Sequence, residues 1–156
     1  MSEKNKIGHE FEEMVAKLFE IKGYKIERNK TMVGKSDVPH EIDIYGKLKG
    51  IRMAAECKYR SFEEKVGKND VAIFLMKLDD LKIEEGYMVT NSYFDENAIK
   101  IGNYYKIKMV DGKTLKEEFR KYGIPYEFEI IPDSPLVRII KSFVSFAQSQ
   151  RNAISL

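Results

Sequence analysis

The sequence predicts an α/β layer protein. Three observations carry that expectation. Apolar residues recur at helical spacing through the first 22 residues, two central stretches alternate like paired strands about Lys49-Gly50, and helical and strand patterns take turns from residue 68 to residue 122. Strands that alternate with helices need crossover connections and a sheet covered by helices.

Ile7, Phe11, Met14, Val15, Leu18 and Ile21 form one stripe and predict a helix over residues 3–22, with Gly23 where helices commonly stop. Residues 24–27 read as a short strand, and 29–39, holding Gly34, Ser36, Asp37 and Pro39, as a loop. The alternating stretches 41–47 and 51–59 form a hairpin. A helix over 68–81, a strand over 87–90, a helix over 94–105, a strand over 106–110 and a helix over 113–122 follow. The tail predicts a strand over 126–131 and a helix opening at Pro135, with apolar positions Leu136, Ile139, Ile140, Phe143, Val144 and Ala147. No internal repeat or low-complexity stretch is present. A single domain is expected over residues 1–156, its core at about 4–122 and a strand-and-helix extension at 123–156.

Composition narrows the class. With 43% hydrophobic residues the 156-residue chain can build a core without staples. The longest unbroken apolar run, residues 71–76, falls far short of the roughly 20 residues that span a membrane, so a soluble protein with no membrane partner is expected. The polar N-terminus shows no secretory signal, and the single cysteine, Cys57, allows no internal disulfide, so a cytoplasmic setting is expected. Two histidines far apart argue against structural zinc and leave carboxylates to hold any metal. The net charge of +2 decides nothing by itself, since a local patch suffices to bind a polyanion.

The hairpin carries the chemistry. Strand alternation places Ile42 and Ile44 on one face and Glu41, Asp43 and Tyr45 on the other; on the second strand Met53, Ala55 and Cys57 oppose Ala54, Glu56 and Lys58. A two-residue loop pairs Leu48 with Ile51 and sets Asp43 across from Glu56, whereas a four-residue loop sets Asp43 opposite Ala54. Either register gathers Asp43, Glu56 and Lys58 on one side. Adjacent carboxylates repel unless compensated, and a divalent cation compensates them: magnesium takes oxygen ligands from one or two carboxylates, waters and phosphates, and activates water. A neighbouring lysine orients that water or carries transition-state charge. The plainer reading is a solvated hairpin face with a cross-strand ion pair. On the first helix Glu12 has Val15, Ala16 and Phe19 at i+3, i+4 and i+7, placing it on the shoulder of the buried stripe, while Glu13 lies on the wet face.

Gly8-His9-Glu10-Phe11-Glu12, Gly23-Tyr24, Ile42-Asp43-Ile44 and Glu56-Cys57-Lys58, in this order and spacing, resemble the PD-(D/E)xK nuclease superfamily, in the branch of Mrr-type restriction endonucleases and archaeal Holliday junction resolvases. Met88-Val89-Thr90-Asn91-Ser92-Tyr93-Phe94 with Ala98, and Met109-Val110-Asp111-Gly112-Lys113-Thr114-Leu115, extend the likeness over residues 7–115. The resemblance implies a restriction-endonuclease-like fold, a central mixed sheet flanked by helices. It also implies a catalytic set of Glu12, Asp43, Glu56 and Lys58, in which the three carboxylates surround Mg2+, with Mn2+ able to substitute, and the lysine serves the nucleophilic water. The chain departs from the pattern in having Ile42 rather than proline before Asp43, and many Mrr-type domains carry glutamine where Glu56 stands.

The activity so implied is metal-dependent hydrolysis of DNA, with junction resolution as the nearest alternative and a non-catalytic nucleic-acid-binding module as the rival from another class. Arg28, Lys30, Lys35, Arg60 and Lys68 are the candidate phosphate contacts. His40 reads as a supporting contact of the site or as a surface residue packed on Pro39. Thr90, Asn91 and Ser92 line the cleft or, on the favoured reading, cap the following helix; Cys57 reads as a buried thiol and Asp111-Gly112 as a turn. Of Tyr104 and Tyr105, at least one is expected in the core. Cutting two strands in one encounter favours a homodimer, for which the tail helix offers a surface unless it packs on its own core.

Overall fold

The stripe that begins at Ile7 does form a helix, α1 (Glu3–Ile21), and Gly23 follows it with φ of 104°. In the computed structural model, which describes residues 3–130 and 134–154, it is followed by β1 (Lys25–Val33), β2 (Pro39–Leu48), β3 (Ile51–Lys58), β4 (Lys65–Val66), α2 (Lys68–Leu81) and β5 (Glu85–Thr90). The chain continues through β6 (Tyr93–Phe94), α3 (Glu96–Tyr104), β7 (Lys108–Val110), α4 (Gly112–Lys121) and α5 (Pro135–Ile154). Five strands make one mixed sheet in the order β1-β2-β3-β5-β7, antiparallel from β1 to β3 and parallel from β3 to β7. The expected α/β architecture is therefore present. Strands β4 and β6 form a separate parallel pair, too short to read from the sequence.

Helices cover both faces. Phe11, Val15 and Phe19 of α1 and Leu115 and Phe119 of α4 pack on Ile44, Met53, Ala55, Cys57 and Val89. On the opposite face Val71, Phe74 and Leu78 of α2 and Ala98 of α3 pack on Ile42, Tyr45, Ala54 and Met88. Ile42 and Ile44 thus lie in different cores, which corrects the expectation that they share a face. Both ladders are irregular at Asp43: the β1–β2 register is constant, yet Asn29, opposite Asp43, takes φ of 49° and drops out of the pairing, and the β2–β3 pairing ends at Ile44. The alternation breaks at that point.

Residues 29–33 are strand rather than loop. They form the sheet's edge, where Asn29, Thr31 and Val33 stay exposed and only Met32 packs on the core, too little apolar alternation to signal a strand. The turn itself is residues 34–38, where the Gly34 amide donates to the Val38 carbonyl. Its anchor is Asp80 on α2, which accepts from the Ser36 amide at 2.9 Å and hydroxyl at 2.6 Å and meets His40 Nε2 at 2.6 Å. A Cβ at Gly34 would strike that carboxylate. His40 is 6% exposed, so it is a buried clamp and neither of the two roles expected for it.

Between β2 and β3 the two-residue reading holds. Leu48 pairs with Ile51, and Lys49 and Gly50 take φ of 52° and 79°, the twist a tight hairpin requires. Asp95 caps α3 by accepting from the Ala98 amide, so Thr90, Asn91 and Ser92 are not caps; Asp111 caps α4 through the Thr114 amide rather than closing a free turn. Tyr104 and Tyr105 are both exposed, their rings 4.9 Å apart, correcting the expectation that one is core. The expected strand at 126–131 is absent over 124–130, and its last residue lies outside the described residues. Tyr126 and Phe128 instead pack edge-on against Phe119 and Phe11, at 5.3 and 5.2 Å. On α5, Val137 is buried while Leu136, Ile139, Ile140, Phe143 and Phe146 are exposed. No described helix is long and apolar enough to cross a membrane.

Candidate active site

Asp43, Glu56 and Lys58 come together at the end of the β2–β3 ladder remote from the Lys49-Gly50 turn. The last paired residues are Ile44 and Ala55, and beyond them the strands part. The gap is bridged by a side chain: the Asp43 carboxylate accepts the Cys57 amide at 2.8 Å, taking the place a strand carbonyl would fill. Glu56 follows Ala54 onto the α2 face, where it is 9% exposed between two lysines, Lys58 Nζ 3.5 Å from Oε1 and Lys77 Nζ 3.8 Å from Oε2. Lys58 also lies 3.7 Å from Asp70 of α2, and Arg60 pairs with the same aspartate at 3.8 Å.

Glu12 approaches from α1, on the other side of Asp43. Its Oε2 lies 3.6 Å from His9 Nδ1 and 3.7 Å from Arg28, and Arg28 donates to the His9 carbonyl at 3.2 Å. Glu13 is exposed, as the helical spacing predicts. Burial raises the pKa of all three carboxyls. It is the largest influence on each, with repulsion by Asp43 adding to it at Glu12 and Glu56, and Glu56 is pushed up to about 7. At Asp43 the Cys57 amide and the lysines Lys58 and Lys77 oppose the rise.

Two of these oxygens, Glu12 Oε2 and Glu56 Oε2, are buried without a hydrogen-bond donor. Buried carboxylate oxygens left without donors are costly, and all-oxygen donors suit a hard cation such as Mg2+ or Mn2+. Among the described residues no three acidic, histidine or cysteine side chains converge tightly enough to enclose an ion as they stand. Each carboxylate is turned to a protein partner instead: Glu12 to His9 and Arg28, Asp43 to the Cys57 amide, Glu56 to Lys58 and Lys77. The donor types suit a hard divalent cation, while their positions, each drawn to its own protein partner, do not by themselves enclose one.

Of the five expected phosphate contacts, Arg28 and Arg60 flank this cluster. Lys30 does not join it, for it pairs with Glu27 at 2.7 Å and covers the Tyr45 ring. Lys35 lies in the turn held by Asp80, and Lys68 is exposed at the first position of α2. Cys57 is the buried thiol expected, its pKa raised by burial. The sequence reading passed over Lys77 and the bracing role of residues 90–92. Thr90 donates to the Lys58 carbonyl at 2.6 Å, and Ser92 to the Glu64 carbonyl at 2.6 Å. Asn91 accepts from the Arg60 amide at 2.7 Å and donates to the Arg60 and Phe128 carbonyls at 2.6 and 3.0 Å. These bonds fix the backbone on both sides of Tyr59. The polar run Thr90-Asn91-Ser92 after an apolar strand was the signal available.

The family model for the restriction endonuclease domain Mrr_cat matches residues 4–119. No curated protein matches the chain. Among solved structures it is similar to AF1548, a protein of unknown function, with TM-score 0.67 and 24% identity over 74% of this chain and 65% of that one. It is also similar to Can2 from Sulfobacillus thermosulfidooxidans in complex with cyclic tetra-adenylate (TM-score 0.60, 17% identity, 74% of this chain and 36% of that one). A third is the MspJI restriction endonuclease in complex with a 27-mer oligonucleotide (TM-score 0.51, 18% identity, 73% and 28%). The chain spans less than two thirds of each of these proteins, and at such identities the likeness is one of fold.

Proposed function

We propose, from the premise that this chain belongs to the restriction endonuclease family Mrr_cat, that it is a divalent-metal-dependent endonuclease hydrolysing DNA phosphodiester bonds. The observation that carries the reading is the pair of donorless buried oxygens, Glu12 Oε2 and Glu56 Oε2, each on a carboxylate that feels the charge of Asp43, with Lys58 paired to Glu56. A binding module gains nothing from such carboxylates facing phosphates, which disfavours the non-catalytic alternative.

Glu12, Asp43 and Glu56 would hold Mg2+ or Mn2+, which when bound polarises a phosphoryl oxygen and lowers the pKa of water. Lys58, reached by both Glu56 and Asp70, is placed to offset the negative charge that grows on phosphorus during in-line attack. Water attack breaks the bond from phosphorus to the 3′ oxygen, so the products carry a 5′ phosphate and a 3′ hydroxyl. Arg28 and Arg60 flank the carboxylates and would grip neighbouring phosphates, contacts that position DNA without reading its sequence. Residues 90–92 hold the backbone around Lys58 and Arg60 while this charge passes.

Cutting both strands in one encounter calls for two sites, and we assign the active form as a homodimer in which the exposed apolar side of α5 meets its equivalent. Incubation with linear duplex, single-stranded and four-way-junction DNA, with magnesium, manganese or EDTA, tests the reading. Metal-dependent cleavage with 5′-phosphate ends supports it, preference for the junction turns it toward resolution, and absence of cleavage on all three substrates refutes it.

A further inference from the structure

Lys77 lies on α2, seven residues beyond Asp70 and so on the same side of the helix, two turns along. The two residues divide the strand end between them. Asp70 faces Lys58 and Arg60 at 3.7 and 3.8 Å, while Lys77 faces β2 and β3. Its Nζ donates to the Glu41 carbonyl at 3.0 Å and lies 3.8 Å from Glu56 Oε2, with its side chain only 18% exposed. Glu56 Oε2 has no hydrogen-bond donor, so the pairing with Lys77 is one of charge alone. Lys58 is shared between Glu56 Oε1 and Asp70, so Lys77, whose charge is also felt at Asp43, is the second counter-charge of Glu56.

A fixed cation at this distance acts in two ways. It holds the Glu56 carboxylate against α2 and ties down Glu41, two residues before Asp43, so the hairpin end keeps one geometry. It also repels any second cation that approaches the same carboxylate. A phosphate brought beside the site would relieve that repulsion by offering Lys77 a negative partner.

We propose that Lys77 is a positioning residue of this site, one that holds Glu56 and makes loading of the carboxylates by a divalent cation dependent on the presence of nucleic acid. The assignment rests on the reading of Glu12, Asp43 and Glu56 as metal ligands. It accounts for the carboxylates standing apart, with Glu56 drawn toward α2 and away from Glu12.

Calorimetric titration of Mn2+ into the DNA-free protein separates this role from others, using the parent chain, Lys77→Met and Lys77→Arg, with cleavage rates measured alongside. Removing one partly buried positive charge is expected to tighten Mn2+ binding about 3–10-fold, while cleavage falls at least about tenfold because Glu56 loses its anchor. Lys77→Arg is expected to keep the parent affinity. Unchanged affinity and rate in Lys77→Met overturn the proposal. So does weaker Mn2+ binding together with a lowered melting temperature, the mark of a purely structural lysine. A raised KM at unchanged kcat and unchanged affinity makes Lys77 a DNA clamp only and also overturns it. A parent chain that binds no Mn2+ refutes the metal reading itself, and the lysine's role with it.

Discussion

The Asp43 carboxylate accepts the backbone amide of Cys57 at 2.8 Å, so one of the expected metal ligands also closes the ladder where β2 and β3 part. The proposed ligand role and a structural role meet in one side chain. Asp43→Asn keeps an oxygen for the Cys57 amide, whereas Asp43→Ala leaves that amide without its acceptor, at a cost of about 1–3 kcal/mol. Both variants are expected to abolish cleavage, as is Glu56→Ala. Only Asp43→Ala should lose stability through the amide, as denaturant midpoints would record. Undiminished turnover in any of them, on a DNA the parent cuts, sinks the ligand assignment.

Glu56 predicts a stability profile. Its folded-state pKa stands near 7 against an ordinary 4.5, so the folded chain binds more protons between those values and loses stability as pH rises through them. Glu56→Gln, uncharged throughout, should escape this loss. It is expected to exceed the parent in stability by up to about 3 kcal/mol at pH 8 in EDTA and to match it near pH 4.5. Urea melts at the two pH values check this, and equal stability at pH 8 contradicts it.

Metal should reverse the same penalty. A cation that binds only the folded chain stabilises it by about 2.7 kcal/mol at a hundred times its dissociation constant. The melting temperature at pH 8 is therefore expected to rise with manganese in the parent and to stay flat in Asp43→Ala. A rise of equal size in both would place the ion elsewhere.

Lys58→Ala is expected to slow cleavage about a hundredfold or more while leaving DNA affinity near the parent's, because its charge acts on the transition state. Single-turnover rates and fluorescence anisotropy separate the two effects. Equal losses of binding and rate would reduce Lys58 to a phosphate clamp.

Light scattering at micromolar concentration addresses α5. The full chain is expected to be a dimer and a chain ending at Pro132 a folded monomer. A monomeric full chain refutes the dimer, and a truncated chain that stays dimeric moves the interface away from α5.

What the sequence made legible followed from strong local signals. The stripe of α1, the span of α2 and the Lys49-Gly50 turn each rest on spacing that neighbours do not override, and the turn set the register of the β2–β3 ladder as far as Ile44 and Ala55, just short of Asp43 and Glu56. What it hid depended on tertiary partners. Residues 29–33 read as loop because an edge strand needs no apolar face. His40 and Thr90 to Ser92 are buried polar groups whose partners, Asp80, Lys58, Arg60 and Glu64, are remote in sequence. Lys77 was invisible for the same reason, since nothing in α2's periodicity tells which strand end it faces. The alternation of β2 breaks at Asp43, beside Asn29 in its left-handed conformation, where residue types alone left it intact.

The short Lys49-Gly50 connection has a kinetic consequence. Asp43 and Cys57, whose bond closes the site, are 14 positions apart, whereas the Thr90 to Lys58 bond that fastens β5 beside them spans 32 and must wait for α2 to cross the sheet. Each doubling of a closed loop costs about 0.6 kcal/mol more in chain entropy. Hairpins close in roughly 1–10 μs. The bond at Asp43 thus belongs to the local hairpin and can form with it, while burial of the site needs the longer-range packing of α1 and α2.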